Sequence, residues 1–323
     1  MDFDLLAADW LRLMRGKRSQ RAFSNRLGYG SNIAYRWEAG VCFPSAAQAF
    51  ALAARFPARE RSSLAAFLGA SPAQAADWDL GSSAGIAEFL RVLRGNTKVV
   101  ELARRSSLSR FSIARWLSGS AEPRLPEFLA LVEAASFRCL DFLSHFVPVE
   151  QLPSVADEWR ALQAARKAAY DVPWSHAVLR ALELTDYTDQ KSPRPGWIAR
   201  RLGISRAEEV RCLATLAAAQ QIRKHGAHWI IAQTQTIDTR ADPARGRKLK
   251  GEWPKVALAR LERGVPGTFG YNLMAVSNAD FARLKELHLA YFREMQALVA
   301  DSAPSERVVL FNTELFALDA SSP

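Results

Sequence analysis

Trp10-Leu-Arg-Leu-Met-Arg-Gly16 and Phe89-Leu-Arg-Val-Leu-Arg-Gly95 are two versions of one segment. A shift of 79 residues carries the match without a gap through Arg36-Trp37 over Arg115-Trp116, Gly40 over Gly119 and Pro44 over Pro123. Nine of the thirty-five positions in 10–44 and 89–123 are identical, where ordinary residue frequencies give roughly two or three. Duplication explains this, and the shared residues include arginines as well as core positions. Each copy therefore predicts the same short helices.

In the first copy, Leu6, Trp10, Leu13 and Met14 fall at helical spacing, and Gly16 ends the helix. Ser19 caps a second helix, from about Gln20 through Ala22, Phe23 and Leu27, and the turn Gly28-Tyr-Gly-Ser31 separates it from a third, about Ser31 to Ala39. That third helix buries Ala34 and Trp37 and stops at Gly40, after which Pro44 opens a helical stretch through Phe50 and Leu52. Two short helices on a tight turn, with others packed behind, are the means by which helix-turn-helix proteins push one helix into the major groove.

The detail of Arg15-Gly-Lys-Arg-Ser-Gln20, Phe23, Leu27-Gly28, Arg36-Trp-Glu-Ala-Gly40 and Pro44 resembles the Xre-type helix-turn-helix of phage repressors. In that family the Ser-Gln opens helix two, the Trp-Glu-x-Gly closes helix three and the Pro begins helix four. The second copy is similar but altered: Thr97-Lys98 is read in place of Ser19-Gln20 and Leu117-Ser-Gly119 in place of Glu38-Ala-Gly40, while Ile113, Trp116 and Pro123 keep the core. The resemblance implies base reading by the early exposed residues of helix three, here Ser31, Asn32 and Arg36, and in the second copy Arg110, Phe111 and Arg115. Asn pairs with adenine and Arg with guanine, whereas Phe meets a thymine methyl or wedges between bases. Gln20, with Lys17, Arg18 and Arg21, and Lys98 in the second copy, are expected near phosphates, which supply affinity without sequence reading. The competing reading leaves Arg36 and Arg115 as solvated surface beside core tryptophans.

Composition agrees with a polyanionic partner without requiring one. Lys and Arg number 43 against 33 Asp and Glu, a net charge of +10. Cys42, Cys139 and Cys212 are odd in number, far apart and without a CxxC, so they suggest neither a disulfide framework nor a zinc ribbon and are read as buried small apolar residues in a reducing compartment. Met1-Asp-Phe-Asp carries acid where a signal peptide carries base, and no apolar run reaches the roughly 18–20 residues that span a bilayer. The expected location is the cytoplasm, with no membrane partner.

Ala65 to Ser83 reads as a helix end and linker, and a helix from about Leu152 to Tyr170 as a strut between halves. A different pattern follows: helix His176–Leu184, helix Trp197–Leu202, the turn Gly203-Ile-Ser205, helix Arg206–Gln221 and the alternating Ile222-Arg-Lys-His-Gly-Ala-His-Trp-Ile-Ile231 spell a winged helix whose wing is the Gly226 hairpin. Either Arg206 and Arg211 lie on DNA, or the unit is an interdomain spacer; Glu208-Glu209, placed where a recognition helix faces phosphates, favours the spacer. Asp238 to Arg263 is a basic loop and helix, read as a solvated face. Phe269-Gly-Tyr-Asn-Leu-Met-Ala-Val276 alternates as a strand, Asn278–Val299 is an amphipathic helix, and Arg307-Val-Val-Leu-Phe-Asn-Thr-Glu-Leu-Phe-Ala-Leu318 returns as a strand. Such a β-α-β unit leaves one sheet face apolar, which calls for a second subunit or a ligand.

Trp197-Ile-Ala-Arg-Arg-Leu-Gly203, the strand before Val276-Ser277, the Leu284–Leu298 helix and Val308–Leu318 resemble a family of bacterial regulators known chiefly by a carboxyl-terminal domain of unknown function appended to a winged helix. That resemblance covers about the last 150 residues and implies transcription control. Nothing points to catalysis. His225 and His228 flank a hairpin turn without acid or thiol partners, the other histidines are scattered, and GxSxG, Walker and HExxH motifs are absent. No cofactor or metal site is expected.

The sequence thus predicts a mainly α protein: an Xre-like module over 1–80, a second over 81–150, a connecting helix over 151–172, a winged helix over 173–237 and an α/β domain for dimerisation or sensing over 238–323. The expected function is a transcriptional repressor that binds double-stranded DNA as a homodimer, with an unidentified effector ligand or protein as a candidate further partner. A helical adaptor for a protein partner is the first alternative, and an enzyme of unrecognised fold the second.

Overall fold

The two copies share an order of helices and their glycine turns, but helix three starts two equivalent positions earlier in the second copy, so Arg110 and Phe111 are helical where Ser31 and Asn32 are not. The computed structural model of the chain describes residues 1–54, 64–68, 78–232, 237, 239, 242–300 and 302–319. It is mainly helical, with one two-stranded sheet among those residues. In the first copy α1 (Phe3–Arg15), α2 (Gln20–Arg26), α3 (Ile33–Glu38) and α4 (Ala46–Ala53) follow one another. After α5 (Leu64–Leu68), the second copy repeats them as α6 (Ser83–Arg94), α7 (Val99–Ser106), α8 (Arg110–Ser118) and α9 (Leu125–Ser136). The linker expected over 65–83 falls mostly outside the described residues.

Buried positions obey the same shift as the sequence. Phe23 and Leu102, Ala34 and Ile113, and Trp37 and Trp116 are equivalent pairs, and all six are buried. The turns obey it too: φ is +61° at Gly16 and +53° at Gly95, and +72° at Gly40 and +77° at Gly119. At the third such turn Gly28 has φ +85°, but its equivalent is Ser107, which takes φ +58° without a glycine's freedom. Ser19 and Lys98 are the equivalent N-caps, so Gln20 corresponds to Val99, one position on from the pairing read in sequence.

The copies are joined by an exchange between equivalent residues. The Ala46 amide donates to the Pro123 carbonyl at 2.9 Å, and the Leu125 amide donates to the Pro44 carbonyl at 3.0 Å. This closes an antiparallel bridge between Ser45 and Arg124. Since 44, 45 and 46 correspond to 123, 124 and 125, the two modules meet about a local pseudo-two-fold axis at that bridge. Behind it lies one aromatic core, in which Phe50 meets Phe128 with ring centroids 5.3 Å apart and Phe89 meets Phe142 at the same distance. Phe142 belongs to α10 (Cys139–Ser144). With so much shared core, the modules belong to one compact unit, Met1–Arg160.

Helix α11 (Ala156–Asp171) carries the chain into a second unit, Ala161–Pro323. There α12 (Trp174–Ala181), α13 (Thr185–Thr188), α14 (Trp197–Leu202) and α15 (Arg206–Ala218) precede a hairpin, β1 (Ile222–His225) and β2 (His228–Ile231), paired from Ile222 with Ile231 to His225 with His228. Val178, Leu179, Leu182, Ile198, Leu216 and Ile222 share its core. The expected His176–Leu184 helix is α12, which starts two residues earlier and ends at Ala181, before a separate short α13. Helix α16 (Pro243–Glu262) follows, and at its first turn a Cβ on Gly246 would lie 2.5 Å from the Thr239 carbonyl oxygen, so only glycine permits that approach.

The expected β-α-β unit is not formed. Its helix exists as α17 (Asn278–Ala300), but 269–276 and 307–318 are not strands. Alternating apolar residues fit a pleated surface, yet a strand also needs a neighbour for its amides and carbonyls. No backbone hydrogen bond joins either segment to the described chain. Among the described residues no helix is long and apolar enough to cross a membrane.

Candidate nucleic-acid interface

What aims α3 is a buried hydroxyl and a nearly buried carboxylate. Ser24, with no exposed surface, accepts from the Ala34 amide at 3.0 Å and lies 2.7 Å from the Gln20 carbonyl, which fixes where α3 starts against α2. Tyr29, in the turn, meets Trp37 edge-on at 5.8 Å. At the other end of α3, Glu38 accepts from Arg15 at 2.5 and 3.1 Å and from Gln20 Nε2 at 2.9 Å, with Arg12 Nε at 3.7 Å. Three helices are thereby tied to one side chain that is 5% exposed. Burial pushes the Glu38 carboxyl upward, but hydrogen bonds from Arg15 and Gln20 and the charges of Arg15 and Arg12 outweigh it and hold the pKa below its ordinary value.

The second copy fixes its helix pair differently. Leu117 stands in place of Glu38 and is buried, and Val99 stands in place of Gln20. Glu38 and Gln20 thus have apolar equivalents, whereas Arg15 is kept as Arg94. Arg94, equivalent to Arg15, donates to the Gly95 carbonyl, the same local bond Arg15 makes to Gly16.

With the inner faces packed, the outer faces are comparable. Ser31, Asn32 and Arg36 are exposed in the first copy and Arg110, Phe111 and Arg115 in the second. Ser31 and Asn32 precede α3 instead of opening it, and Asn32 is its N-cap residue, its side-chain oxygen 3.3 Å from the Ser24 hydroxyl. Arg36 and Arg115 are set alike: the Arg36 carbonyl accepts from the Val41 amide at 2.9 Å and that of Arg115 from Ser120 at 3.0 Å. Arg110 stacks on its neighbour, its guanidinium carbon 4.9 Å from the Phe111 ring centre. Phe111 is 69% exposed, unusual for a phenylalanine in a packed helix pair.

The residues expected at phosphates divide. Lys17, Arg18, Arg21 and Lys98 are exposed, with Arg18 bonded to the Arg15 carbonyl at 3.3 Å. Gln20 is half-buried and its amide faces Glu38, so the structure gives it a positioning task. The sequence reading missed Tyr35, which is 56% exposed beside Arg36. Its signal was available, since 35 and 36 fall between the buried 34 and 37. Glu38 was also missed as a tie, although it is the acid of the quoted Trp-Glu-x-Gly.

In the second unit, Arg206 and Arg211 are both exposed at the start of α15, and Arg211 pairs with Glu208 at 2.7 Å. The acids that argued against DNA there do not face outward together. Glu209 is buried and accepts from the Ala199 amide at 3.3 Å, tying α15 to α14. His228 in the hairpin lies 2.6 Å from the Gln190 carbonyl. A cleft of about 390 Å³ is lined by Trp174 and Trp253, whose rings meet edge-on at 5.5 Å, together with Arg211, Arg245 and Lys248.

No curated protein and no solved structure shows significant similarity to this chain. One family model matches residues 155–318, just over half of the chain, a span close to that of the second compact unit. The chain therefore belongs to the family described as Domain of unknown function (DUF4423).

Proposed function

We propose that the protein is a sequence-specific DNA-binding transcriptional regulator, a repressor in the simplest case, which reads double-stranded DNA with α3 and α8. The observation that carries this reading is the pairing of equivalent exposed residues, Ser31, Asn32 and Arg36 with Arg110, Phe111 and Arg115, on two helix pairs joined through the Ser45–Arg124 bridge. Each helix pair has a packed inner face, which leaves the outer one available to bases. The arginines bid for guanine and Asn32 for adenine, while Phe111 suits a thymine methyl or a base step. Lys17, Arg18, Arg21 and Lys98 supply the phosphate contacts.

The pseudo-two-fold makes the expected site specific. One chain presents two reading helices about a local axis, as a repressor dimer does with two chains. Their residues differ, so the two halves of the site differ as well, most of all where Asn32 and Phe111 read. The test is enrichment of a randomised duplex library on the full chain, followed by titration of the winner over a range of salt. Affinity should fall steeply with salt. Arg36→Ala and Arg115→Ala should each cost about 5- to 150-fold and relax preference at one base in opposite halves of the site, corresponding to about 1–3 kcal/mol. Lys17→Ala should weaken all sequences alike. A library without a winner, or a winner indifferent to both arginine variants, would overturn the reading and favour a protein partner.

A further inference from the structure

Apolar side chains stand uncovered along the last fifty residues. Tyr271 is 87% exposed, Leu273 76%, Leu298 75% and Val309 77%, and twelve other large apolar residues between Phe269 and Leu318 are exposed with them. At about 100 Å² for each, roughly half of what an aromatic side chain buries, the total is on the order of 1,600 Å². Soluble monomers carry contiguous apolar patches of about 300–600 Å², and one side of a standard protein interface covers about 800 Å². About half of this surface gathered on one face is enough for one side of a standard interface.

The region is held in place at both ends. Before it, Arg260 donates to the Leu202 carbonyl at 2.6 Å. Near its far end, the Thr185 amide donates to the Ser305 carbonyl at 2.8 Å, Arg201 donates to the Glu306 carbonyl at 2.8 Å, and Val308 packs on the core of its own unit. Within it, Tyr291 of α17 meets Phe311 edge-on at 5.7 Å. A groove of about 510 Å³ runs between 274–277 and the start of α17, where Met274, Val276, Leu284 and Leu287 give it an apolar wall. Residues 268–276 carry no charge and 308–318 only Glu314, so like charges do not oppose self-association there.

We propose that residues 267–318 form a two-fold interface with a second copy of this chain, in which 269–276 and 307–318 become strands of a sheet shared between copies and α17 packs over it. A second copy fits both deficits at once. It brings the same alternating segments with the same open amides and carbonyls, and in an isologous pairing the amide of residue i meets the carbonyl of residue j while j meets i, along the edge the two copies share. It also brings apolar side chains to fill the groove beside α17. The proposal stands apart from the DNA reading, and its test contains no DNA.

Light scattering of the full chain at micromolar concentration should give twice the 35.8 kDa of one chain. Amides of 269–276 and 308–318, which have no partner within the described chain, should exchange over minutes to hours and not within seconds. Leu273→Asp combined with Phe316→Asp should return the mass to one chain and release those amides, leaving protection of α3, α8 and α15 unchanged. A single-chain mass for the native protein would overturn the proposal, as would a dimer whose 269–276 and 308–318 amides exchange freely. A double variant that folds and stays dimeric would place the interface elsewhere. If the variant fails to fold, exchange in the native dimer decides alone. A single-chain mass accompanied by capture on phosphatidylcholine vesicles would assign the surface to lipid and refute the pairing.

Discussion

Removing the carboxylate of Glu38 should loosen α3 without unfolding the second copy. In Glu38→Ala, Gln20 Nε2 loses its acceptor, and Arg15 keeps only its bonds to the Gly16 and Arg18 carbonyls, at 3.2 and 2.5 Å. Breaking a buried ion pair costs about 3–5 kcal/mol, but Arg15 is 18% exposed and Arg12 46%, so solvent recovers part of that. We expect about 2–3 kcal/mol, read as faster hydrogen exchange in peptides covering α2 and α3 while those covering α7 and α8 keep their rates. Glu38→Leu with Gln20→Val installs the residues that the second copy carries at the equivalent positions, Leu117 and Val99. It should recover more than half of the loss, since apolar residues replace buried ion pairs at little cost. Glu38 sits below its ordinary pKa in the folded protein. Its contribution is therefore complete above the unfolded carboxylate pKa and lost as pH falls through the folded value, so native and Glu38→Ala proteins should converge in acid. A loss under about 0.5 kcal/mol would make the tie a solvated surface pair. A double variant as unstable as the single would refute the equivalence of the two solutions.

Ser107→Gly should stabilise the first unit by about 0.5–1 kcal/mol in urea denaturation, because Ser107 holds φ +58° where its equivalent is Gly28, and Gly28→Ser should cost a similar amount; equal stability of all three proteins would refute it. In thiol titration Cys42, half-exposed, should react first. Cys139, pushed well above its usual pKa by burial, and Cys212, pushed up to about 12 by burial and Glu208, should react only on unfolding.

The fold of the first unit was legible because duplication tests itself. Positions 23 with 102 and 37 with 116, apolar in both copies, are core, and 36 with 115, charged in both, is surface. Helix boundaries followed from Gly16, Gly40 and Ser19, whose conformations or caps depend on residue type. The Ser45–Arg124 exchange was not legible, since a backbone hydrogen bond leaves no trace in side-chain chemistry. The role of Gln20 was misread for a related reason: sequence shows that a polar side chain stands at the start of α2, and only packing shows that Glu38 has taken it. The carboxyl-terminal strands failed differently. Their alternation is present in Phe269–Val276 and Arg307–Leu318, but a strand is a property of two segments, and this chain supplies no neighbour among its described residues.

Joining two copies in one chain changes what each is free to become. In a dimer of separate repressors any substitution appears on both sides of the axis, so a residue that improves one half-site alters the other identically. Here the axis lies within the chain, and the copies have drifted apart on both faces. On the inner face Glu38 and Gln20, which are bonded to each other, stand against the apolar Leu117 and Val99, while tryptophan is kept as Trp37 and Trp116. On the outer face Asn32 stands against Phe111 and Ser31 against Arg110; the Ser24 hydroxyl beside Asn32 is Ala103 in the second copy and Arg110 stacks on Phe111, so these differences go with local partners, while arginine is kept at 36 and 115. Packing explains why the tryptophans remain, but both arginines are exposed and their side chains hold neither helix pair together. Retention of an exposed arginine at 36 and 115, beside neighbours that differ, is the pattern the proposed function predicts, in which the two helices share one base contact and diverge at the others.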